Sequence, residues 1–149
     1  MKVLIINGPN LNLTGSRETV VYGKVSFEDI LHEIRGMYPE MIIDHFQSNI
    51  EGELIDHIQS ADKGYDGIIL NAGGYTHTSV AIGDAVAAVS IPVVEVHMSH
   101  VFSREPFRHI SHISASCTGS ISGFGPGSYL LGVEALRRKS EKFFLPKRK

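Results

Sequence analysis

Short apolar runs recur along the chain at residues 3–6, 41–46, 65–70 and 93–96, with segments of helical period between them. That alternation is the tightest constraint on the fold. A strand covered on both faces reads as a near-continuous apolar run rather than an alternating one. Strands that take turns with helices of these lengths join as parallel neighbours through crossover helices. Residues 117–122 give a fifth, weaker run. The helix signals agree with this spacing. Ser26 precedes Phe27, Ile30, Leu31 and Ile34 and is followed three residues on by Asp29, a variant of the capping box; Gly36 and Pro39 end that segment. Asn49 is read as the cap of a second helix running to about residue 61, and Thr78 or Ser79 as the cap of a third built from small residues. A last helix is expected from residue 129 to about 144. Five parallel strands with helices on both faces predict a flavodoxin-like three-layer α/β sandwich of order 2-1-3-4-5, one domain over residues 1–149. In that order the carboxyl ends of strands one, three and four are neighbours, and ligands of open α/β sheets bind outside such ends.

The chemistry-bearing residues collect there. After the apolar strand at 93–96, Glu95, His97, Ser99, His100, Ser103, Arg104 and Arg108 crowd the strand end and the loop beyond it. Two arginines four apart, following a histidine, suit an anionic ligand and acid–base work. Residues 7–24 show no clear period and hold Arg17 and Tyr22; long loops of this kind inside compact domains are usually functional. Residues 71–77 form the loop after the third strand and carry Asn71 and His77.

Other chemistries find less support. The formal net charge is −2, which leaves no electrostatic footprint for nucleic acid or an acidic membrane surface. The apolar run at 3–6 is too short for a signal peptide or a membrane span. Cys117 is the single cysteine, so no intramolecular disulfide forms and a reducing, cytoplasmic setting is expected. No Cys/His spacing suits a metal. The glycines at 123, 125 and 127 suggest a phosphate loop, but the G-x-G-x-x-G spacing would put its third glycine at Ser128, so a tight turn is the better reading. Two rivals to an acid–base enzyme remain: a non-catalytic carboxylate-binding or interaction module, and an aldolase with a Schiff-base lysine. Before residue 139 the lysines are Lys2, Lys24 and Lys63, none in the carboxyl half of a predicted strand, which speaks against imine chemistry.

Three blocks go further when taken together. The first is Asn7-Gly-Pro-Asn-Leu-Asn-Leu with Gly15, Arg17, Tyr22 and Gly23. The second is Gln47-Ser-Asn-Ile-Glu-Gly-Glu-Leu-Ile. The third is Gly73-Gly-Tyr-Thr-His-Thr-Ser-Val-Ala with Glu95-Val-His-Met-Ser and Arg104-Glu-Pro-Phe-Arg-His. In order and spacing, from residue 2 to about 136, they resemble the type II 3-dehydroquinate dehydratases, the small cofactor-free dehydroquinases. The resemblance implies loss of water from 3-dehydroquinate to give 3-dehydroshikimate, by anti elimination through an enolate, in the shikimate or quinate pathway. It implies no metal and no cofactor. Tyr22 matches the base, and Arg17 the arginine whose charge lets a phenol of ordinary pKa about 10 ionise. His97 matches the general acid, oriented by Glu95. Asn12 matches the residue that holds a water against the enolate oxygen. Asn71, His77, Arg108 and the backbone N–H groups of Met98 and Ser99 match substrate contacts, the last two as a nest for the carboxylate. Arg104 resembles a residue that holds a mobile loop closed, and Asp84 one that reaches the site of a neighbouring subunit. The family's usual assembly is a homododecamer of four trimers. Residues 140–149 lie outside the resemblance.

Overall fold

The computed structural model describes residues 1–16 and 25–140. Its strands are β1 (Lys2–Asn7), β2 (Ile42–Gln47), β3 (Gly67–Asn71), β4 (Val93–His97) and β5 (Gly119–Ser122). They form one parallel sheet of order β2-β1-β3-β4-β5, the order expected. The helices are α1 (Phe27–Met37), α2 (Glu51–Ala61), α3 (Val80–Ala88) and α4 (Gly127–Ser140). Successive side chains of a strand point to opposite faces, so each inner strand feeds two cores. Val3, Ile5, Ile69, Val94 and Val96 pack with Phe27, Ile30 and Ile34 of α1 and Tyr129 and Val133 of α4. Leu4, Ile6, Ile68, Leu70 and Val93 pack with Leu54 and Ile58 of α2 and Ile82 and Val86 of α3.

The local signals explain most boundaries. Ser26 and Asp29 close a full capping box at the start of α1, a device worth about 1 kcal/mol. Of the two candidates before α3, Ser79 is the cap; its Oγ accepts the Ile82 N–H at 2.9 Å. Asn49 is not a cap. Its Oδ1 accepts from the Asn10 N–H at 2.9 Å and from Gln47 Nε2 at 3.2 Å, so it pins the loop after β1, while Ser48 Oγ takes the Ile50 N–H at the start of α2. β3 begins at Gly67 rather than 65, because the Tyr65 N–H still bonds back to the Ala61 carbonyl of α2. The small residues of α3 let it lie close to the chain after β4: a Cβ on Gly83 would sit 2.5 Å from the His112 carbonyl oxygen. The 123–127 glycines make a turn. Gly123 and Gly125 have φ of +98° and +56°, and their N–H groups donate to the His97 and Met98 carbonyls. Those donors are spent holding the end of β4 against the start of α4, and α4 begins two residues earlier than the apolar spacing suggests. Among the described residues no helix is long and apolar enough to cross a membrane.

Candidate active site

A cleft of about 230 Å³ opens at the carboxyl edge of the sheet. Its floor comes from strand ends. Asn71 closes β3, His97 closes β4, and His77 stands on a 3₁₀ turn, Gly73–His77, directly after β3. Met98, Ser99, Arg104 and Arg108 form one wall; Leu13, Thr14 and Gly15 form part of the other. The strand order thus brings together Asn71, His77, His97, Met98, Ser99, Arg104 and Arg108, as the sequence leads one to expect. Asn12 is exposed and does not line the cleft; its Oδ1 lies 3.5 Å from Gln47 Nε2. Asp84 is exposed on α3 and also outside the lining. Arg17 and Tyr22 lie outside the described residues.

Glu95 lies beneath His97. Residues two apart on a strand share a face, and the His97 Nε2–Glu95 Oε1 distance is 2.9 Å with Glu95 only 1% exposed. A buried carboxylate is costly unless its lone pairs are filled. Ser111 Oγ donates to Oε1 at 3.0 Å, Ser120 Oγ donates to Oε2 at 2.6 Å, and Ser114 Oγ donates to Oε2 as well. Burial alone would raise the Glu95 pKa; the donors His97, Ser114 and Ser120 overcome it and hold the group down at about 2. Glu95 is therefore an anion at neutral pH. It accepts the hydrogen bond from His97 Nε2–H and leaves Nδ1 as the ring nitrogen without a partner among the described residues.

The three serines were not singled out by the sequence reading. Ser120 is the β5 residue in register with Glu95. Ser111 and Ser114 reach Glu95 from the chain that crosses over α3, and Ser111 Oγ also accepts the N–H groups of Ile113 and Ser114. A lone glutamate in an apolar strand was the available signal, because such a group must find donors somewhere.

The rest of the cleft is basic or neutral. His77 Nδ1 lies 2.7 Å from the Ile110 carbonyl, and its ring stacks at 6.2 Å on that of His97. Burial lowers the His77 pKa, with the neighbouring His97 and Arg108 charges adding to it. A neutral His77 donates from Nδ1 and offers Nε2 as an acceptor. Arg108 Nε donates to Glu105 Oε2 at 2.9 Å, Arg104 Nε lies 3.6 Å from the same oxygen, and an Arg104 terminal nitrogen reaches Ser99 Oγ at 3.4 Å. Burial and the Glu95 charge push the Cys117 thiol up to about 12, which disfavours its thiolate. Among the described residues no group of three or more His, Cys, Asp or Glu side chains is placed to hold a metal ion. The arrangement can give a proton from a carboxylate-backed imidazole and hold an anion beside it.

Residues 1–137 match the family model described as dehydroquinase class II. The chain is 52% identical over 139 residues to the 3-dehydroquinate dehydratase of Fusobacterium nucleatum, covering 89% of this chain and 94% of that protein. It is 53% identical over 139 residues to the 3-dehydroquinate dehydratase of Caldicellulosiruptor bescii, covering 91% and 96%. The crystal structure of the type II dehydroquinase from Butyrivibrio crossotus superposes with a TM-score of 0.88 at 45% identity, over 92% of this chain and 97% of that one. That of the type II dehydroquinase from Propionibacterium acnes gives 0.85 at 32% identity, over 94% and 96%.

Proposed function

The chain belongs to the class II dehydroquinase family, and from that premise we propose how it removes water from 3-dehydroquinate to give 3-dehydroshikimate. The substrate is a cyclic β-hydroxy ketone with a carboxylate. Its α-proton is weakly acidic and its hydroxyl leaves poorly, so the enzyme must supply a base, a partner for the enolate oxygen and an acid around one ring. Tyr22 takes the α-proton as a phenolate that the charge of Arg17 would favour. A water held by Asn12 steadies the enolate oxygen. His97, held by its contact with Glu95, gives a proton to the hydroxyl on the opposite face, and water departs. Arg108, His77, Asn71 and the N–H groups of Met98 and Ser99 hold the ring and its carboxylate. No bond forms between substrate and protein.

The observation that carries this reading is the buried Glu95–His97 pair, 2.9 Å apart, opening into a cleft edged by Arg104 and Arg108. A carboxylate-backed imidazole and two guanidinium groups face one cleft. Purified protein given 3-dehydroquinate should develop the ultraviolet absorbance of the conjugated enone. In heavy water, His97→Ala should still exchange the α-proton while making little product; Tyr22→Phe and Arg17→Ala should do neither. Exchange that persists in Tyr22→Phe would move the base to another residue, His77 first.

In the cytoplasm the protein would act as a homododecamer of four trimers, with residues 1–149 as one catalytic domain. Asp84, Val80, Phe102, Phe107 and Ile110 are all exposed, the four apolar ones at 61–64%, and are thus open to another subunit. Light scattering behind size exclusion reads the assembly. Activity regained on mixing Asp84→Ala with Tyr22→Phe subunits reads the sharing of Asp84 across the boundary.

A further inference from the structure

A chain of buried amides runs away from the cleft on the opposite side of the sheet from Glu95. Asn7 and Asn71 are the last residues of β1 and β3 and sit in register, 0% and 3% exposed. Tyr129, on the first turn of α4 and 0% exposed, bridges them. Asn71 Nδ2 donates to the Tyr129 hydroxyl at 2.8 Å, and that hydroxyl donates to Asn7 Oδ1 at 2.8 Å. Asn7 Nδ2 then meets His45 Nε2 at 3.2 Å, and at the cleft end Asn71 Oδ1 accepts the Gly73 N–H at 3.2 Å.

The chain has one polarity. A phenol carries a single proton. Because Tyr129 spends it on Asn7, its oxygen must accept from Asn71. The Asn71 nitrogen is then turned toward Tyr129 and its oxygen toward Gly73. Reversal would set the Asn71 amide nitrogen against the Gly73 N–H, donor against donor. At the far end, an unprotonated His45 Nε2 is the acceptor that fixes the Asn7 amide the same way. Burial keeps the Tyr129 phenol protonated, so the single donor is always present.

We propose that Tyr129 is a positioning residue for the active site: together with the Gly73 N–H it holds the amide orientation of Asn71, through a hydrogen-bond chain whose direction is anchored at His45. What Asn71 offers the ligand is then fixed, one N–H and one oxygen lone pair in set places. The inference rests on the reading of Asn71 as a substrate contact.

Tyr129→Phe removes only the hydroxyl. The expected result is a KM for 3-dehydroquinate raised about fivefold, with kcat within about twofold, as befits one misdirected hydrogen bond. In the ligand-free protein the side-chain amide resonances of Asn71 and Asn7 should shift together. His45→Gln, which keeps an acceptor, should hold the wild-type KM. His45→Phe, which can still pack against Phe27 (its ring 4.3 Å from that of His45), should raise KM in the same direction as Tyr129→Phe. An unchanged KM and unmoved Asn71 resonances in Tyr129→Phe would overturn the proposal, even if the melting temperature falls. Equal KM values for the two His45 variants would also overturn it. Wild-type protein inert toward 3-dehydroquinate would instead defeat the functional reading, and the ligand-free amide shifts would still decide the positioning role.

Discussion

Two buried polar clusters stand at the same edge of the sheet, on opposite faces, and they are built differently. On the α2–α3 face Glu95 carries a full charge and receives donors from His97, Ser111, Ser114 and Ser120. On the α1–α4 face Asn7, Tyr129 and Asn71 are neutral and are joined end to end. A buried charge has to be saturated, because any lone pair left empty costs a large desolvation penalty. A buried neutral chain has to be directional, because each link fixes which way the next one faces. The first cluster holds a carboxylate against His97; the second joins Asn71 to Tyr129 and Asn7. Both deliver their effect to one cleft.

The comparison breaks most visibly at His97. If the charged cluster serves the proton transfer, His97→Ala should lower kcat by about 10³-fold, the range for loss of a general acid. Tyr129→Phe should leave kcat nearly intact. Steady-state assays of the two variants side by side test the division of labour, and equal losses of kcat would erase it.

Stability gives the next contrast. The folded Glu95 pKa is about 2 against an ordinary 4.5. A depressed carboxylate contributes stability that is fully present above about pH 4.5. It is lost as pH falls through the folded value near 2. That contribution is on the order of 3 kcal/mol. In denaturant titrations the stability gap between wild type and Glu95→Gln should therefore close between pH 4.5 and 2. A constant gap across that window would mean that Glu95 is not held as an anion by its donors.

At neutral pH, Tyr129→Phe should cost about 1–3 kcal/mol, because two buried amides each lose a partner. That is less than Glu95→Ala, which strands several donors at once and should cost about 3–5 kcal/mol. Chemical denaturation of both variants ranks them. A larger loss for Tyr129→Phe would mean that the neutral chain, not the charge, holds this edge together.

The two clusters also differ in how far they can be read from sequence. Strand order follows from the alternation of buried runs and helices, and with it the meeting of Asn71, His77 and His97. Glu95 and His97 show themselves because a polar pair two apart in an apolar strand has no packing reason. Their serine partners do not, lying 16, 19 and 25 residues downstream of Glu95. The weak apolar content of β5 is itself explained by Ser120 facing Glu95 across the sheet. The neutral chain was hidden more deeply. Asn7 reads as the turn residue that stops a strand, yet it is the buried last residue of β1. Tyr129 reads as an apolar helix position, and nothing local says where a phenol's hydroxyl will end. Asn49 has the chemistry of a cap but is drawn off by the Asn10 N–H and Gln47. Tertiary partners decide in each case, and a local pattern cannot contain them.

The smallest effect is expected where a carboxylate is exposed, at Glu105. Its side chain is 53% exposed, against 1% for Glu95, yet it faces both cleft arginines, at 2.9 Å from Arg108 Nε and 3.6 Å from Arg104 Nε. Water and salt screen such a pair, so it cannot fix charge as Glu95 does. It can still compete: if Arg108 binds the substrate as proposed, an anionic substrate must take that guanidinium from Glu105. Glu105→Gln removes the competitor's charge and should lower KM about twofold at low salt, with kcat unchanged. The difference should vanish as ionic strength rises and the Debye length shrinks to about 3 Å at 1 M. A KM that rises in Glu105→Gln would give this residue the opposite task. It would then align Arg108 for the ligand, and the exposed carboxylate would belong with the positioning chain of Tyr129 rather than stand as the weak counterpart of Glu95.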